Sequence, residues 1–194
     1  MTMNHTCEND ISYTEINGVC GTLSPGDAWS LIRYAPKNGR YVETGSYLGC
    51  SAVIVALNTN LTIWAHDLWV TDWSELKGLP PPKVDDYFYK FYDAVKRNKM
   101  ENRIIPVRGD SVYTIGIHDD ESVDFAFIDG DHSYEGCLRD LEAIWPKMKE
   151  QSPILIHDCI QQSVLEAVKK FTNDKNIKYK LLENTTGMAL LFKK

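Results

Sequence analysis

Acidic and imidazole side chains are concentrated directly after two apolar segments in the second half of the chain. The segments Val123–Ile128 and Pro153–Ile156 have the composition of strands covered on both faces. The groups that follow them are Asp129, Asp131, His132, His157 and Asp158. Charged groups at the ends of apolar strands are costly to desolvate unless they are paired or bind a metal. Together these oxygen and nitrogen donors suit a hard or borderline divalent ion.

This cluster is suited to two kinds of chemistry, metal binding and proton transfer by a general base. An imidazole near its ordinary pKa, such as His132, can take a proton from an alcohol, with Asp131 orienting the ring or serving as the base itself. The alternative is that His132 only opens a helix at the surface. The metal-free alternative has Asp158 capping a helix and His157 hydrogen-bonded.

A second group of polar residues and glycines follows the first predicted strand, Arg40–Glu43. The stretch from Glu43 to Ser51 reads ETGSYLGCS. Gly45 permits a tight turn, and Gly49 permits the close approach of a ligand or a helix. This G-x-x-x-G spacing differs from the G-x-G-x-x-G that cradles a pyrophosphate, so the turn favours a cofactor without one. A purely structural turn is the alternative.

The next two strand ends also carry polar groups. Asp67 lies 22 residues beyond Gly45, where an acid can accept hydrogen bonds from both ribose hydroxyls of an adenosine cofactor. The polar turn Gly109-Asp110-Ser111 is suited to the edge of an adenine. Each of these acids has an alternative as a helix cap.

Strand-like and helix-like segments alternate along the chain and must position these residues. Helical spacing begins at Ser24-Pro25, which offers an N-cap followed by proline. Further helices are predicted over Gly49–Asn58 and Val84–Lys99, near Tyr134, and around Val164. The predicted strands are Arg40–Glu43, Leu61–His66, Arg103–Val107, Val123–Ile128 and Pro153–Ile156, and a final hairpin joins Ile177–Leu182 to Met188–Phe192. This order predicts an α/β fold, a Rossmann-like three-layer sandwich with a mostly parallel seven-stranded sheet and a C-terminal antiparallel hairpin.

The chain length of 194 residues suits one domain. We predict an N-terminal arm or lid over residues 1–23 and the domain itself over 24–194. An aromatic, proline-containing insert runs from Leu68 to about Lys83. Its aromatic side chains, with those of the helix that follows, either stack on an acceptor or form part of the core.

Composition excludes several classes of partner. Hydrophobic residues make up 43% of the chain and the net charge is −6, so we expect no nucleic-acid partner and no membrane partner. Five cysteines at irregular spacing are typical of reduced thiols. The polar N-terminus resembles no signal peptide, which favours a cytoplasmic location. The sequence is compatible with a homodimer.

Two motifs resemble those of a known enzyme family. The Glu43–Ser51 stretch resembles the first motif of class I S-adenosylmethionine-dependent methyltransferases. It is especially similar to the catechol and caffeoyl-CoA O-methyltransferase branch and to the small bacterial sugar and antibiotic O-methyltransferases. The stretch Phe127–Gly136, FIDGDHSYEG, followed by Arg139-Asp140-Leu141, resembles the most diagnostic segment of the latter group. The resemblance covers about Ser24 to Lys194.

The resemblance implies a function and a set of binding residues. It implies methyl transfer from S-adenosylmethionine to a hydroxyl of a small molecule, with a sugar or glycosylated metabolite favoured over a catechol. The cofactor contacts it implies, extended to the neighbouring turn residues, are Glu43, Gly45, Ser46, Tyr47, Gly49, Ser51, Asp67, Gly109, Asp110, Ser111 and Asp129.

The resemblance also implies a magnesium site and a general base. Carried over, the metal ligands are Asp129, His157 and Asp158, and His132 stands where the catechol branch has its lysine base. The chain departs from the family at His157, where an acid is usual. Because imidazole is a poor magnesium ligand, either another divalent metal binds or none does.

Two other functions remain open. A nicotinamide-dependent oxidoreductase is disfavoured by the missing G-x-G-x-x-G. A non-catalytic module that keeps the cofactor pocket, or has lost it, is disfavoured by the intact Glu43, Gly45 and Asp67.

Overall fold

A computed structural model of the protein describes residues 3–8, 11–16, 19–69, 85–183 and 185–194. The strands are β1 Met3–Glu8, β2 Ile11–Ile16, β3 Val19–Gly21, β4 Asn38–Thr44, β5 Asn60–Asp67, β6 Ile104–Arg108, β7 Phe125–Ile128, β8 Pro153–Ile156, β9 Tyr179–Leu181 and β10 Ala189–Phe192. The α-helices are α1 Pro25–Tyr34, α2 Cys50–Asn58, α3 Asp85–Arg97, α4 Ser111–Thr114, α5 Tyr134–Ile144 and α6 Gln162–Asp174.

Seven strands form one twisted sheet in the order β6-β5-β4-β7-β8-β10-β9. The pairs among β4 to β8 are parallel, and β10 is antiparallel to both β8 and β9. The predicted fold class is therefore confirmed. Strands β5 and β6 lie on one side of β4, and β7 and β8 lie on its other side. A crevice therefore opens between the carboxyl ends of β4 and β7, where sheets of this kind bind ligands.

Helices cover both faces of the large sheet. One core cluster joins α1, α2 and α3 to the sheet, and the other joins α5 and α6 to its opposite face. Strand β7 is buried at every residue, which explains its almost wholly apolar sequence. Among the described residues, no helix is long and apolar enough to cross a membrane.

The predicted helix signal acts as expected at the start of α1, and a proline follows the end of α5. Ser24 accepts a hydrogen bond from the backbone N–H of Asp27 and donates its own backbone N–H to the Asp27 carboxylate, with Pro25 as the first helical residue. Helix α5 ends at Ile144, and Pro146 lies in a 3₁₀ turn over Trp145–Lys147.

The N-terminal segment contains regular structure that the sequence did not predict. Strands β1, β2 and β3 form a separate antiparallel sheet, and Ile11–Ile16 is rich in the β-branched and aromatic residues that favour strands. A role of residues 1–23 as an arm or lid stays a prediction. The insert lies outside the described residues from position 70 onward. In α3, Phe91 is buried while Tyr89 and Tyr92 are exposed.

Candidate active site

Backbone hydrogen bonds join the carboxyl ends of five neighbouring strands into one continuous edge. Each bond runs from the residue after one strand to the end of the next, over 2.9–3.1 Å. They run from Gly45 N to His66 O, Gly109 N to Asp67 O, Asp129 N to Thr44 O and His157 N to Ile128 O. This edge brings together the polar turns that the sequence placed after each strand.

The turn after β4 requires its first glycine for packing. Gly45 has φ +76°, and a Cβ at this position would lie 2.0 Å from the carbonyl oxygen of Asp129. Gly49 has φ +84°, and its Cβ would lie 3.0 Å from the ring of Phe91. The sequence predicted that Gly49 permits the close approach of a ligand or of a helix. In the structure, helix α3 lies against Gly49.

Glu43 is wholly buried behind this turn. The hydroxyl of Tyr41 donates to Glu43 Oε2 over 2.6 Å. Burial raises the pKa of Glu43 to about 7, against the hydrogen bond from Tyr41 that favours the charged form. Glu43 therefore titrates near neutral pH.

Asp67 fixes the backbone of two turns. Its Oδ2 accepts from the N–H of Tyr47 over 2.7 Å and its Oδ1 accepts from the N–H of Trp69 over 2.6 Å. Both Tyr47 and Trp69 have positive φ, +45° and +43°, and such strain is common at functional sites. Burial raises the pKa of Asp67 despite these bonds. Each carboxylate oxygen keeps a second lone pair for a ligand hydroxyl.

The turn after β6 leads into α4. Asp110 caps that helix by accepting from the N–H of Val112 over 3.0 Å, as its alternative interpretation predicted. Ser111 donates its hydroxyl to Oδ1 of Asp140 over 2.5 Å. Asp140 is buried on α5 and was not predicted as a site residue. The sequence pattern that could have indicated Asp140 is the presence of an acid on a helix face that is otherwise apolar.

The cofactor region is narrow in this structure. A cleft of about 20 Å³ lies between the turn after β4 and residues Gly21–Leu23. Pockets for small ligands and cofactors usually measure about 300 Å³ or more, so this cleft is much smaller than a usual cofactor site. A cleft of about 380 Å³ at the sheet edge, beside Asn176 and Phe192, contains none of the predicted site residues.

His157 is buried, with the Asp27 carboxylate near its Nε2 and the carboxylates of Asp129 and Asp158 near its Nδ1. Its Nε2 is 3.3 Å from Asp27 Oδ2 and 3.1 Å from Thr186 Oγ1. Its Nδ1 is 3.1 Å from Asp129 Oδ1 and 3.4 Å from Asp158 Oδ2, with neither oxygen in hydrogen-bond geometry. Burial opposes the charged ring, but the carboxylates together raise the pKa of His157.

His132 reaches the same two carboxylates from the open side. Its Nε2 is 3.2 Å from Asp158 Oδ2 and 3.6 Å from Asp129 Oδ1, and its Nδ1 is 3.2 Å from the amide nitrogen of Gln161. The carboxylate of Asp129, followed by that of Asp158, raises the pKa of His132 against the effect of burial. With a side chain 34% exposed, His132 is the most accessible of the four donors.

Asp131, which was predicted to orient His132 or to serve as the base itself, makes a local contact in the structure, and both roles stay predictions. Asp131 Oδ1 accepts instead from the backbone N–H of Ser133 over 2.8 Å, which is a turn before α5. Among the described residues, the carboxylates that contact the His132 ring belong to Asp129 and Asp158.

The predicted metal ligands Asp129, His157 and Asp158 lie together, and His132 lies beside them. Among the described residues, the group of potential ligand atoms within 4.8 Å of one another is Asp129, His132 and Asp158. The predicted set had His157 in place of His132, yet His157 Nδ1 also faces both carboxylates. Asp158 does not cap a helix, since α6 has Gln161 at its N-cap, and Asp158 has φ +54°. The rings of His132 and His157 therefore both face the carboxylates of Asp129 and Asp158.

Comparisons with known proteins identify the family of the chain. Residues 42–159, more than half of the chain, match the sequence model of a family described as a methyltransferase domain. No curated protein matches the chain.

Solved structures share the fold. The O-methyltransferase NovP is 14% identical, with 87% of this chain and 80% of that chain covered and a TM-score of 0.67. A methyltransferase of Podospora anserina, solved with S-adenosylhomocysteine, is 17% identical, with coverages of 87% and 77% and a TM-score of 0.65. A putative caffeoyl-CoA O-methyltransferase of Staphylococcus aureus is 14% identical, with coverages of 80% and 76% and a TM-score of 0.62. The resemblance to class I methyltransferases is confirmed for family and fold.

Proposed function

Because the chain belongs to the methyltransferase-domain family, we propose that it transfers a methyl group from S-adenosylmethionine to a hydroxyl oxygen of a small molecule. A sugar or glycosylated metabolite is the proposed acceptor class, on the resemblance of the Asp129-Gly130-Asp131-His132 segment. The observation that carries the proposal is the meeting of Asp129, His132, His157 and Asp158 beside the turn after β4.

The turns along the strand ends suit the three parts of the cofactor. Asp67 would accept hydrogen bonds from the ribose hydroxyls, and the Gly109–Ser111 turn would meet the adenine. Glu43 and the amides after Gly45 would hold the amino acid part. S-adenosylmethionine supplies a methyl group already activated by its sulfonium, so the protein's main task is to align the acceptor with it.

The donor set fits a divalent metal. Two carboxylate oxygens lie 3.1–3.6 Å from two ring nitrogens, and His157 Nδ1 is buried without an acceptor in hydrogen-bond geometry. We assign Asp129, Asp158 and His157 as ligands. A bound divalent ion would lower the pKa of the acceptor hydroxyl. Mixed oxygen and nitrogen ligands favour manganese, iron, cobalt, nickel or zinc over magnesium.

We propose that His132 takes up the proton of the acceptor hydroxyl. Its side chain is the most exposed of the cluster, and Asp158 and Asp129 would stabilise the imidazolium that forms. As the oxygen–methyl bond forms and the sulfur–methyl bond breaks, the hydroxyl proton passes to this ring. The products are a methyl ether and S-adenosylhomocysteine.

Transfer of a tritium-labelled methyl group tests the proposal. Sugars, nucleotide sugars and catechols are offered as acceptors, and the product is treated with alkali, which methyl ethers survive. The proposal predicts an alkali-stable labelled product from a sugar-bearing acceptor. A chelator should lower its rate, and cobalt or manganese should restore it better than magnesium. Label that goes only to nitrogen or carbon acceptors would contradict O-methyl transfer.

A further inference from the structure

Asp27 is buried more completely than its role in helix α1 requires. It is fully shielded from solvent, although the reciprocal bonds with Ser24 that begin the helix form equally well at a surface. Burying a carboxylate is costly unless it is paired. The remaining contacts of Asp27 run to two residues from distant parts of the chain, Thr186 and His157.

Thr186 links Asp27 to the histidine. Its backbone N–H donates to Asp27 Oδ1 over 3.1 Å, and its hydroxyl donates to Asp27 Oδ2 over 2.7 Å. Because this hydroxyl proton is committed to Asp27, the Thr186 oxygen is left to accept from His157 Nε2, 3.1 Å away. The Asp27 carboxylate lies 3.3 Å from the same nitrogen.

These contacts determine which nitrogen of His157 faces the cluster. With the Nε2–H held by Thr186 and Asp27, Nδ1 points toward Asp129 and Asp158. Histidines that bind metals generally donate their other ring N–H to a carboxylate or similar acceptor, which fixes the ring and strengthens the ligand.

We infer that Asp27 and Thr186 are positioning residues for the metal, which hold His157 so that Nδ1 is a ligand together with Asp129 and Asp158. The inference rests on the proposed metal site. It also gives a role to the histidine at position 157, where the resembling enzymes usually have an acid. An imidazole held in this way makes the site selective for a transition ion. Helix α1 and the β9–β10 turn thereby become parts of the site.

Binding of Co²⁺, followed by its visible absorption in the purified protein without cofactor, tests the inference apart from activity. Thr186→Val removes the hydroxyl and Thr186→Ser keeps it, so the pair separates the hydrogen bond from packing. Asp27→Asn removes the charge at nearly constant shape. Asp124→Asn is the matched control, since Asp124 accepts from Arg40 N and pairs with Lys149 away from the site.

Thr186→Val and Asp27→Asn should lower Co²⁺ affinity by about 10–100-fold, while Thr186→Ser and Asp124→Asn stay near the wild type. Circular dichroism and the affinity for S-adenosylhomocysteine should be unchanged in all four variants. Wild-type Co²⁺ affinity in both Thr186→Val and Asp27→Asn would overturn the inference.

Failure of the proposed function is distinguishable from failure of this inference. A wild-type protein that transfers methyl groups but binds no Co²⁺ overturns the inference and leaves methyl transfer standing. A protein that binds Co²⁺ with the expected variant pattern but transfers no methyl group supports the inference and contradicts the proposed reaction.

Discussion

The carboxylate of Asp67 accepts a 2.7 Å hydrogen bond from the backbone N–H of Tyr47, which ties the end of β5 to the turn after β4. The same carboxylate accepts from Trp69 N, and the indole of Trp69 donates to Tyr47 O over 2.9 Å. The residue assigned to the ribose is thus also the residue that shapes the turn assigned to the amino acid part of the cofactor.

Replacing Asp67 with Ala should lower the affinity for S-adenosylhomocysteine at least tenfold. The variant loses charge-assisted hydrogen bonds, each contributing about 1.5–3 kcal/mol, and it frees two strained turns. Titration calorimetry measures the effect, with Asp93→Ala on the exposed face of α3 as the control. Unchanged affinity in a folded Asp67→Ala protein would defeat the ribose assignment.

Gly45→Ala should destabilise the protein by at least about 2 kcal/mol, because φ is positive and the new methyl would collide with the backbone of Asp129. Gly116→Ala is the matched control, since a Cβ there meets nothing within 4 Å. Urea denaturation measures both variants. Equal stability of the two would show that the β4 and β7 ends are not packed as described.

Glu43 should make stability depend on pH. Its pKa is raised from 4.5 to about 7 in the folded protein, so the folded state holds the proton more tightly than the unfolded chain. The resulting stability is full below pH 4.5 and is lost as pH rises to about 7.

In Glu43→Gln this contribution is absent. The stability of the wild type relative to the variant should therefore fall by about 3 kcal/mol between pH 4.5 and pH 8. Urea denaturation across this range checks it, with the exposed Glu101→Gln as control. Parallel pH profiles for the wild type and Glu43→Gln would refute the shift.

His132→Ala should lower turnover by about 10²–10⁴-fold without changing S-adenosylhomocysteine affinity. Gln161→Ala, which removes only the neighbour of Nδ1, should have a much smaller effect. Measuring Co²⁺ affinity in the same variants separates the base from a ligand. Unchanged Co²⁺ binding in His132→Ala supports the base, and a loss parallel to that of turnover assigns His132 to the metal.

The sheet and its polar edge were predictable because they follow from short-range patterns. Alternation of strands and helices determines which residues end each parallel strand, and this placed Gly45, Asp67 and Asp129 along one edge.

The partners of His157 were not predictable in the same way. Asp27 follows Ser24 at the spacing of an N-terminal helix cap, which accounts fully for its sequence pattern. Its contacts with His157 and Thr186 depend on how α1 and the β9–β10 turn pack at the strand ends. Asp131 was predicted as an orienting group for His132 or as the base itself, and in the structure its Oδ1 accepts from the backbone of Ser133 in the turn before α5.

The central claim is that the edge formed by Gly45, Asp67 and Asp129 binds S-adenosylmethionine. Calorimetric titration of the wild-type protein with S-adenosylhomocysteine, and separately with NADH, tests it most directly. We expect saturable one-to-one binding of S-adenosylhomocysteine and no binding of NADH. Binding of NADH alone, or of neither compound by a folded protein, would contradict it.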